Sequence, residues 1–302
     1  MIDTLLHVAT LLLLPPLLLG VIVRTKARFA GRTGAPLLQP YYDLAKLMRR
    51  GMVLSTTTTW VFSAGPIITL ATVLLAGMLI PIGSPDAPFA FSGDLILFAY
   101  LFALARFFTT SAALDTGSAF EGMGSAREVT FACLSEPALF FAFLVLAKLS
   151  GSLTLATMLH APTQALSAGS AAPVVLIGIG LFIVMLAETC RIPVDDPTTH
   201  LELTMIHESM VLDHSGPLFS VIHYAAAVKL LVLGTVLLHV IAPFEFVQGW
   251  LNWPLYIVKI LALSVGIGIV ESIMARLQMR HVPYLLVGAL LFCAFGFILL
   301  IR

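Results

Sequence analysis

The feature that most constrains this chain is a series of long apolar stretches that recur along its length. A helix that crosses the hydrocarbon core of a bilayer needs about 20 mostly apolar residues. The stretches that qualify are 3–23, 60–82, 94–114, 128–149, 172–190, 220–241, 254–274 and 282–301. We therefore predict an all-α, polytopic membrane protein with about eight transmembrane helices, in which residues 1–302 form a single integral membrane domain.

Composition supports the same class of protein. Hydrophobic residues make up 59% of the chain and charged residues only 11%, whereas about a quarter of an average soluble domain is charged. A water-soluble protein of this composition would expose large apolar patches. The first stretch lacks a basic leader, so we predict a retained helix. Its Pro15-Pro16 pair should bend it.

The charges between the apolar stretches alternate along the chain. Lys and Arg are concentrated in residues 24–59 and recur around Arg127, Arg191 and residues 276–280. The links that lack both residue types are 83–93, 150–171 and 242–253. Because basic links stay in the cytoplasm, this alternation predicts that the N-terminus and the C-terminus both lie outside.

Two of the basic-side links contain helical apolar patterns. After Pro40, the side chains of Tyr41, Leu44 and Met48 share one helical face, which predicts a short amphipathic helix at the membrane surface. In residues 191–219, Leu201, Met205 and Leu212 form a second stripe.

We interpret the second link mainly as a docking surface for a partner protein. Its acidic residues, which include Asp195 and Asp196, would be repelled by an anionic inner leaflet. The basic stretch that contains Arg28 and Arg32 would be shared between the partner and lipid headgroups. A purely lipid-facing role is the alternative for both links.

Ionisable residues lie inside the predicted spans, where each costs roughly 2.5–3.5 kcal/mol on insertion scales. The basic ones are Arg106, Lys148, Lys229 and Lys259, and the acidic ones are Glu128, Glu136, Glu188 and Glu271. Glu128 and Glu136 are eight residues apart and therefore share a helix face. Pro137 follows Glu136 and should loosen the helix there. Two interpretations stay open for these carboxylates: ion pairs with Arg106 or Lys229 that only orient helices, or a proton relay. Glu188 and Glu271 are placed near the aqueous edge, where capping or snorkelling is the alternative.

The sequence contains no motif for a metal or an ordinary enzyme site. His200, His207 and His214 recur every seven residues, so in a helix they are about 10 Å apart, too far for one metal ion. We interpret them as surface histidines near a partner. Cys133, Cys190 and Cys293 form no CxxC pair, which argues against iron–sulfur or zinc ligation by this chain.

Three motifs carry a family resemblance. RFAGRTGAPLLQPYYDLAKL (28–47), GSAREVTFACLSEP (124–137) and AETCRIPVDDPTTHLEL (187–203) resemble the signatures of the complex I subunit 1 family, in the same order. Within that family, ESIMARLQMRHVPYLL (271–286) is similar to the membrane anchors of complex-I-related nickel–iron hydrogenases.

The resemblance implies a membrane subunit of a bacterial or archaeal cytoplasmic membrane, with no redox centre of its own. Its partners would be hydrogenase large and small or iron–sulfur subunits, which hold the iron–sulfur clusters and the NiFe centre, and antiporter-like membrane subunits. Proton or sodium translocation would be coupled to the redox reaction. The implied channel residues are Glu136, Glu188, Asp195 and Glu202, with Arg127 and Arg191 beside them and Glu128 on the same helix as Glu136.

This sequence also departs from the respiratory members of the family. Thr198 and His200 replace glutamates that follow the motif aspartate, and Met210 replaces another, with Glu208 displaced by two positions. These departures favour the hydrogenase branch over the alternative, a quinone-site subunit of an NADH-quinone oxidoreductase. A free-standing secondary transporter is the alternative of a different class, although no internal symmetry of two halves is visible.

Overall fold

The computed structural model describes residues 2–167, 171–195, 205–244 and 251–301. The α-helices of these residues are α1 (Ile2–Leu13), α2 (Pro15–Phe29), α3 (Gln39–Met48), α4 (Trp60–Met78), α5 (Asp94–Asp115), α6 (Ala119–Ser150), α7 (Leu155–Ser167), α8 (Ala171–Glu188), α9 (Gly216–Ile241), α10 (Asn252–Ile273) and α11 (Val282–Ile301). Short 3-10 helices lie at Glu208–Met210 and Met279–His281. The described residues contain no strand, so the all-α prediction is confirmed.

The predicted number of spans agrees with the structure. Within the described residues, seven helices are long and apolar enough to cross a membrane, and the bent pair α1–α2 makes an eighth if it is one span. Helices suit this environment because they satisfy their own backbone hydrogen bonds without water. Some boundaries differ from the prediction. Helix α6 begins at Ala119, so most of the predicted link 115–127 is helical, and it continues without a break through Pro137.

The predicted bend of the first span is present, and two tyrosines stabilise it. Helices α1 and α2 meet at 47°. Pro16 has no N–H to give to the carbonyl of Leu12, and that carbonyl accepts a hydrogen bond from the Tyr224 hydroxyl at 2.7 Å. The next carbonyl, of Leu13, accepts from the Tyr41 hydroxyl. The bend therefore leaves neither carbonyl without a donor.

The amphipathic helix predicted after Pro40 is α3. It packs against α2 and α9, and Tyr41 and Leu44 lie partly buried on the packed face. Met48, which the pattern places on the same face, is instead 56% exposed. The packed face instead includes the half-buried Leu47, which lies about 60° beyond Leu44 around the helix. The face that contacts the bundle is therefore rotated away from the one that the pattern predicts.

Helix α7 is not predicted by the sequence pattern and occupies the link 150–171. Leu155, Met158 and Leu159 of this helix are fully buried against the bundle. Its 13 residues span only about 20 Å, too short to cross a bilayer. The N–H of Leu155 donates to the buried carboxylate of Asp94 at 2.7 Å, which fixes the start of α7 beside α5.

Helix α9 is the most buried of the spanning helices and lies at the centre of the bundle. Helices α2, α4 and α8 pack around it, while α11 packs on α6 and α8. Leu231, Val232 and Val236 of α9 have no more than 1% exposure, so this helix is buried on most of its faces. This central position places Lys229 inside the protein rather than toward lipid.

The predicted helical stripe of residues 191–219 is wrong where the structure describes it. From Met205 onward the segment forms only the 3-10 turn Glu208–Met210 before α9 begins. Met205 is 1% exposed and packs inside the chain, whereas Leu212 is 42% exposed. Packing against α6 determines the conformation of this segment, and such a tertiary contact cannot be read from a local sequence pattern. Asp196, Leu201 and Glu202 lie outside the described residues.

Candidate functional site

Arg106 of α5 is the centre of a buried cluster of charges. Its Nε atom lies 3.1 Å from Oε1 of Glu128, and its Nη2 atom lies 2.6 Å from Oε1 of Glu188. Its Nη1 atom contacts the Glu136 carboxylate. One guanidinium thus holds two carboxylates of α6 and one at the end of α8. A guanidinium can do this because it carries five N–H donors in a fixed plane.

Glu188 has further partners. Lys229 of α9 donates to its Oε2 atom at 2.7 Å, and the Ser135 hydroxyl donates to its Oε1 atom at 2.8 Å. The predicted pairing of the acidic residues with Arg106 and Lys229 is therefore present. Whether these carboxylates also relay protons stays a prediction.

The cluster continues toward the basic-side links through His207. Its Nε2 atom lies 3.1 Å from Oε2 of Glu128, and its Nδ1 atom lies 3.4 Å from Oδ2 of Asp195. Asp195 also accepts from Arg276 at 3.0 Å and from the backbone N–H groups of Ile206 and His207 at 3.2 and 3.1 Å. We call the connected set the charge network: Arg106, Glu128, Glu136, Glu188, Lys229, His207, Asp195 and Arg276.

The end of α8 places Glu188 and Asp195 in this network. Cys190 has a left-handed backbone with φ 55°. The N–H of Arg191 donates to the carbonyl of Leu186 at 2.9 Å, and the N–H of Cys190 points at the carbonyl of Ala187 at 3.4 Å. This is a Schellman C-cap, which usually has glycine at the left-handed position. It turns the chain sharply, so that Glu188 and Asp195 both reach the same cluster.

A glycine of α6 lets the following link approach Glu128. A Cβ atom at Gly124 would lie 2.2 Å from the Ser209 hydroxyl and 2.9 Å from the carbonyl of Ile206. Only glycine therefore allows the 205–210 segment to pack this closely on α6. That contact places the His207 ring over Glu128, which lies one helical turn beyond Gly124 on the same face.

Two of the cavities that the charge network lines share residues with each other. The smaller, of about 140 Å³, is lined by Arg106, Glu128, Glu188 and Lys229 together with Cys190, His207, Glu208 and His223 of the basic side. The larger, of about 370 Å³, is lined mainly by apolar residues of α5 and α6 and opens beside the exposed Tyr100. Arg106 and Glu188 line both cavities, whereas Glu136 lines only the larger one. The Arg106–Glu188 pair is thus the polar wall between them.

Glu271 belongs to a second set of ion pairs. It lies 2.8 Å from Lys26 of α2 and 3.3 Å from Arg191, and its side chain is fully buried. Of the alternatives left open for Glu271, these buried ion pairs argue against snorkelling into the aqueous edge. Arg191, which the resemblance places beside the channel acids, pairs with Glu271 here. Arg127 donates to the carbonyl of Met205 at 2.8 Å and so holds the link on α6.

The histidines of residues 191–219 do not fit the expected surface role. His214 is 7% exposed and stacks on Phe62 with ring centroids 3.9 Å apart. Burial lowers the pKa of His214, so this ring is neutral at physiological pH. His200 lies outside the described residues. Among the described residues, no three His, Cys, Asp or Glu side chains are placed to hold one metal ion.

The surroundings of His207 favour the positively charged imidazolium. Burial by itself would lower the pKa of His207, but the neighbouring Cys190, Glu128 and Asp195 raise it well above the ordinary value of 6.5. Burial likewise acts to raise the pKa of Asp195, and the hydrogen bond and charge of His207, with Arg276, lower it below 3.8. The two residues therefore form an ion pair at neutral pH.

The predicted docking residues fall into three groups. Asp195 and Met205 are each only 1% exposed, so neither side chain forms part of a docking surface in this structure. The carboxylate of Asp195 pairs with His207 and Arg276 inside the chain. Arg28, Arg32 and Leu212 are exposed and remain available. Asp196 and Leu201 lie outside the described residues.

Sequence reasoning misses two members of the network. His207 is interpreted as a surface residue because its seven-residue spacing from His200 and His214 is too wide for one metal ion. That spacing carries no information on how the link folds. In the sequence, Arg276 serves only to predict which side of the membrane its link occupies. In the structure it donates to Asp195, which lies 81 residues away along the chain. Neither contact has a local signal. The MIHES segment (205–209), with a histidine beside a glutamate, is the one hint of titrating chemistry.

The fold and site together define a polytopic, all-α membrane protein with a buried charged cluster among its spanning helices. The sequence matches the family described as NADH dehydrogenase over residues 2–302. The chain belongs to this family, in its subunit 1 group, and the resemblance inferred from the three motifs is confirmed.

Two relatives from Escherichia coli K12 cover most of the chain. Hydrogenase-4 component C is 31% identical over 91% of this chain and 89% of its own length, and formate hydrogenlyase subunit 4 is 31% identical over 89% and 88%. NADH-ubiquinone oxidoreductase chain 1 of Trichophyton rubrum is 29% identical over 72% of this chain and 60% of its own length. A chain of the membrane-bound sulfane sulfur reductase, an archaeal respiratory membrane complex, shares the fold with a TM-score of 0.83 at 20% identity, covering 99% and 98% of the two chains.

Proposed function

We propose that this chain is the membrane subunit that docks the peripheral electron-transfer arm of a hydrogenase-type, complex-I-like assembly. It would couple the redox reaction of that arm to translocation of protons or sodium ions across a bacterial or archaeal cytoplasmic membrane. The two hydrogenase-type relatives support this branch, because both cover more of the chain, at higher identity, than the ubiquinone-linked relative does. Family membership also favours a subunit of a complex over a free-standing transporter.

The observation that carries the coupling role is the position of the Arg106–Glu188 pair between the two cavities. A titratable carboxylate that contacts both cavities can accept a proton from one side and release it to the other. Glu136 is the partner on the larger-cavity side, and its side chain is 43% exposed. Ionisable groups are retained at bilayer depth mainly where they serve such pathways.

The docking role is supported by the exposed surface of the basic-side links. The Ser215 hydroxyl bonds the N–H and the carbonyl of Val53 at 3.0 and 3.2 Å, which joins the 49–59 link to the start of α9. The side chains of Met52, Val53 and Leu54 are 45–75% exposed, on irregular backbone. Irregular backbone is not stable against lipid, because its polar groups would lack partners. A protein surface is therefore the fitting cover for these apolar residues.

The partners proposed for this surface are the hydrogenase large and small or iron–sulfur subunits. They would hold the iron–sulfur clusters and the NiFe centre, so that electrons stay outside the membrane. The antiporter-like membrane subunits would contact the helix bundle and receive the conformational or proton signal from the charge network.

Replacing Glu136 in the intact complex tests the coupling role. The Glu136→Gln variant keeps the shape and the hydrogen-bonding capacity of the side chain but removes the titratable charge. We expect normal assembly and hydrogenase activity with reduced ion translocation in inverted membrane vesicles. Asp86→Asn, on an exposed outer link, is the matched control and should translocate normally. Loss of the subunit without a separable coupling defect would show that Glu136 only orients helices.

A further inference from the structure

We propose that His207 carries the exchangeable proton of the charge network and passes it between the link residue Asp195 and the membrane residue Glu128. This inference rests on the proposed coupling function and assigns the entry step of that pathway to a specific residue. It differs from a purely structural role, in which His207 would act only as a fixed positive charge between two carboxylates.

The geometry of the imidazole fits this role. Its two nitrogens face different carboxylates: Nδ1 is hydrogen-bonded to Asp195 at 3.4 Å, and Nε2 lies 3.1 Å from Glu128. The Nε2–Glu128 contact is not aligned as a hydrogen bond, so transfer there requires a small rotation of the ring or a water of the smaller cavity. The ring also lines the smaller cavity beside Glu188 and Lys229. A histidine placed in this way can take up a proton at one nitrogen and release a different proton from the other.

The charges around His207 explain why it is the member that exchanges. The titratable and charged groups around His207 come from three helices and from the links. The helices contribute Arg106 (α5), Glu128 (α6), and Lys229 and His223 (α9). The links contribute Cys190, Glu208, and Asp195 with its partner Arg276. The ion pairs of the network join four carboxylates to Arg106, Lys229, Arg276 and His207. The arginines stay charged at all accessible pH values, and Lys229 is held by Glu188. His207 is the basic member whose charge depends on both neighbouring carboxylates.

The proton step balances without any redox partner. The N–H bond at Nε2 of the imidazolium breaks, and an O–H bond forms at Oε2 of Glu128, which leaves a neutral ring with its hydrogen on Nδ1. Glu128 then releases this proton to the Glu188 carboxylate through water in the smaller cavity, which both side chains line. Water, for which the smaller cavity has room, then takes the Nδ1 hydrogen and returns a hydrogen to Nε2, which frees Nδ1. Nδ1 next accepts a proton that arrives from the aqueous link side through the Asp195 carboxylate, and the imidazolium is restored.

The first experiment measures the protonation of His207 directly in the purified complex, by infrared or NMR spectroscopy with isotope-labelled histidine. The His207→Gln variant identifies the signal. We expect an imidazolium at neutral pH whose pKa falls in the Glu128→Gln variant, since one of its two carboxylate neighbours is then neutral. A neutral ring at neutral pH, or a titration that Glu128→Gln leaves unchanged, would overturn the proposal. This readout does not depend on ion translocation.

The second experiment separates proton carriage from fixed charge. His207→Lys keeps a positive charge between the carboxylates but titrates far above neutral pH. We expect His207→Lys to assemble normally, yet to lower translocation in vesicles by about tenfold or more, as His207→Gln does. Full translocation by His207→Lys would show that a fixed charge suffices and would refute the proposal. If Glu136→Gln also translocates normally, the proposed coupling function itself fails, which distinguishes the two outcomes.

Discussion

At the scale of single residues, Arg106 has the largest structural effect, because three carboxylates depend on it. Glu128, Glu136 and Glu188 come from two other helices, and each contacts a different nitrogen of its guanidinium. The cost of bringing these charges out of water is offset only while the cation is in place. The fold therefore requires an arginine at position 106, whether or not the carboxylates also relay protons.

We expect Arg106→Gln to destabilise the subunit by roughly 3–5 kcal/mol, the usual cost of leaving a buried charge without its partner. The measurement is the amount of subunit retained in the membrane and the thermal stability of the purified complex. Lys148→Gln, which removes an exposed basic residue in the last turn of α6, is the control and should have little effect. Equal stability of both variants would contradict the contacts described for Arg106.

The His207–Asp195 pair predicts a pH window for the 205–210 segment. Because the pKa of His207 is raised, the stabilisation of the fold by its positive charge is complete below pH 6.5. This stabilisation is lost as the pH rises through the raised pKa. Because the pKa of Asp195 is lowered, the stabilisation of the fold by its negative charge is present above pH 3.8. This stabilisation is lost as the pH falls through the lowered pKa. We expect amide protection at Ile206 and His207, corrected for intrinsic exchange rates, to fall at alkaline pH. His207→Gln should abolish that alkaline change, and an unchanged profile in this variant would contradict the assignment.

At the scale of secondary-structure elements, the bend between α1 and α2 depends on side chains that are distant in sequence. Proline removes the local donor, and hydroxyls from α3 and α9 replace it. The bend thus fixes α3 at the surface of the bundle. It also explains why Tyr41 of α3 is half buried although α3 as a whole lies on the surface.

We expect Tyr224→Phe to destabilise the protein by about 1–3 kcal/mol, because the carbonyl of Leu12 loses its donor in an apolar environment. Thermal unfolding of the purified protein in detergent measures this effect. Tyr284→Phe is the matched control, since that side chain is 74% exposed. A stability loss of the same size in both variants would remove the bend-capping explanation.

At the scale of the whole molecule, the charges of the links predict the orientation of the protein in the membrane. A single cysteine at Asp86, in a chain whose native Cys133, Cys190 and Cys293 are replaced, should react with a membrane-impermeant reagent in intact cells. A cysteine at Arg32 should react only after permeabilisation. The reverse pattern would invert the predicted topology.

The proposed function also predicts how a peripheral hydrogenase arm would be held on the basic side of the molecule. Arg28 and Arg32 are exposed on the same side as Val53 and Leu212. We expect the double variant Arg28→Glu and Arg32→Glu to release hydrogenase activity from membranes while the subunit stays inserted. Charge reversal at Asp86, on the opposite side, is the control. Retention of the arm on membranes that contain the double variant would place the contact elsewhere.

The sequence by itself determined the class of fold and most of the helices. Long apolar runs leave a chain no stable arrangement except spanning helices, and Pro15-Pro16 dictates the bend by removing backbone donors. The acidic and basic residues inside the spans also marked the region of the site, because charges at bilayer depth need partners. These conclusions depend on composition and local spacing, which the sequence displays directly.

Only the tertiary structure decided which of these charges meet. Arg106 contacts residues that are 22, 30 and 82 positions away, and Asp195 contacts His207 and Arg276 because the link folds back onto α6 at Gly124. This packing of the link on α6 also buries Met205 and Asp195, which the sequence pattern assigns to docking. Packing on the bundle likewise makes a helix, α7, of a segment that the sequence pattern leaves as a link. Such contacts depend on how helices pack and where a link lies against them, and one sequence records neither.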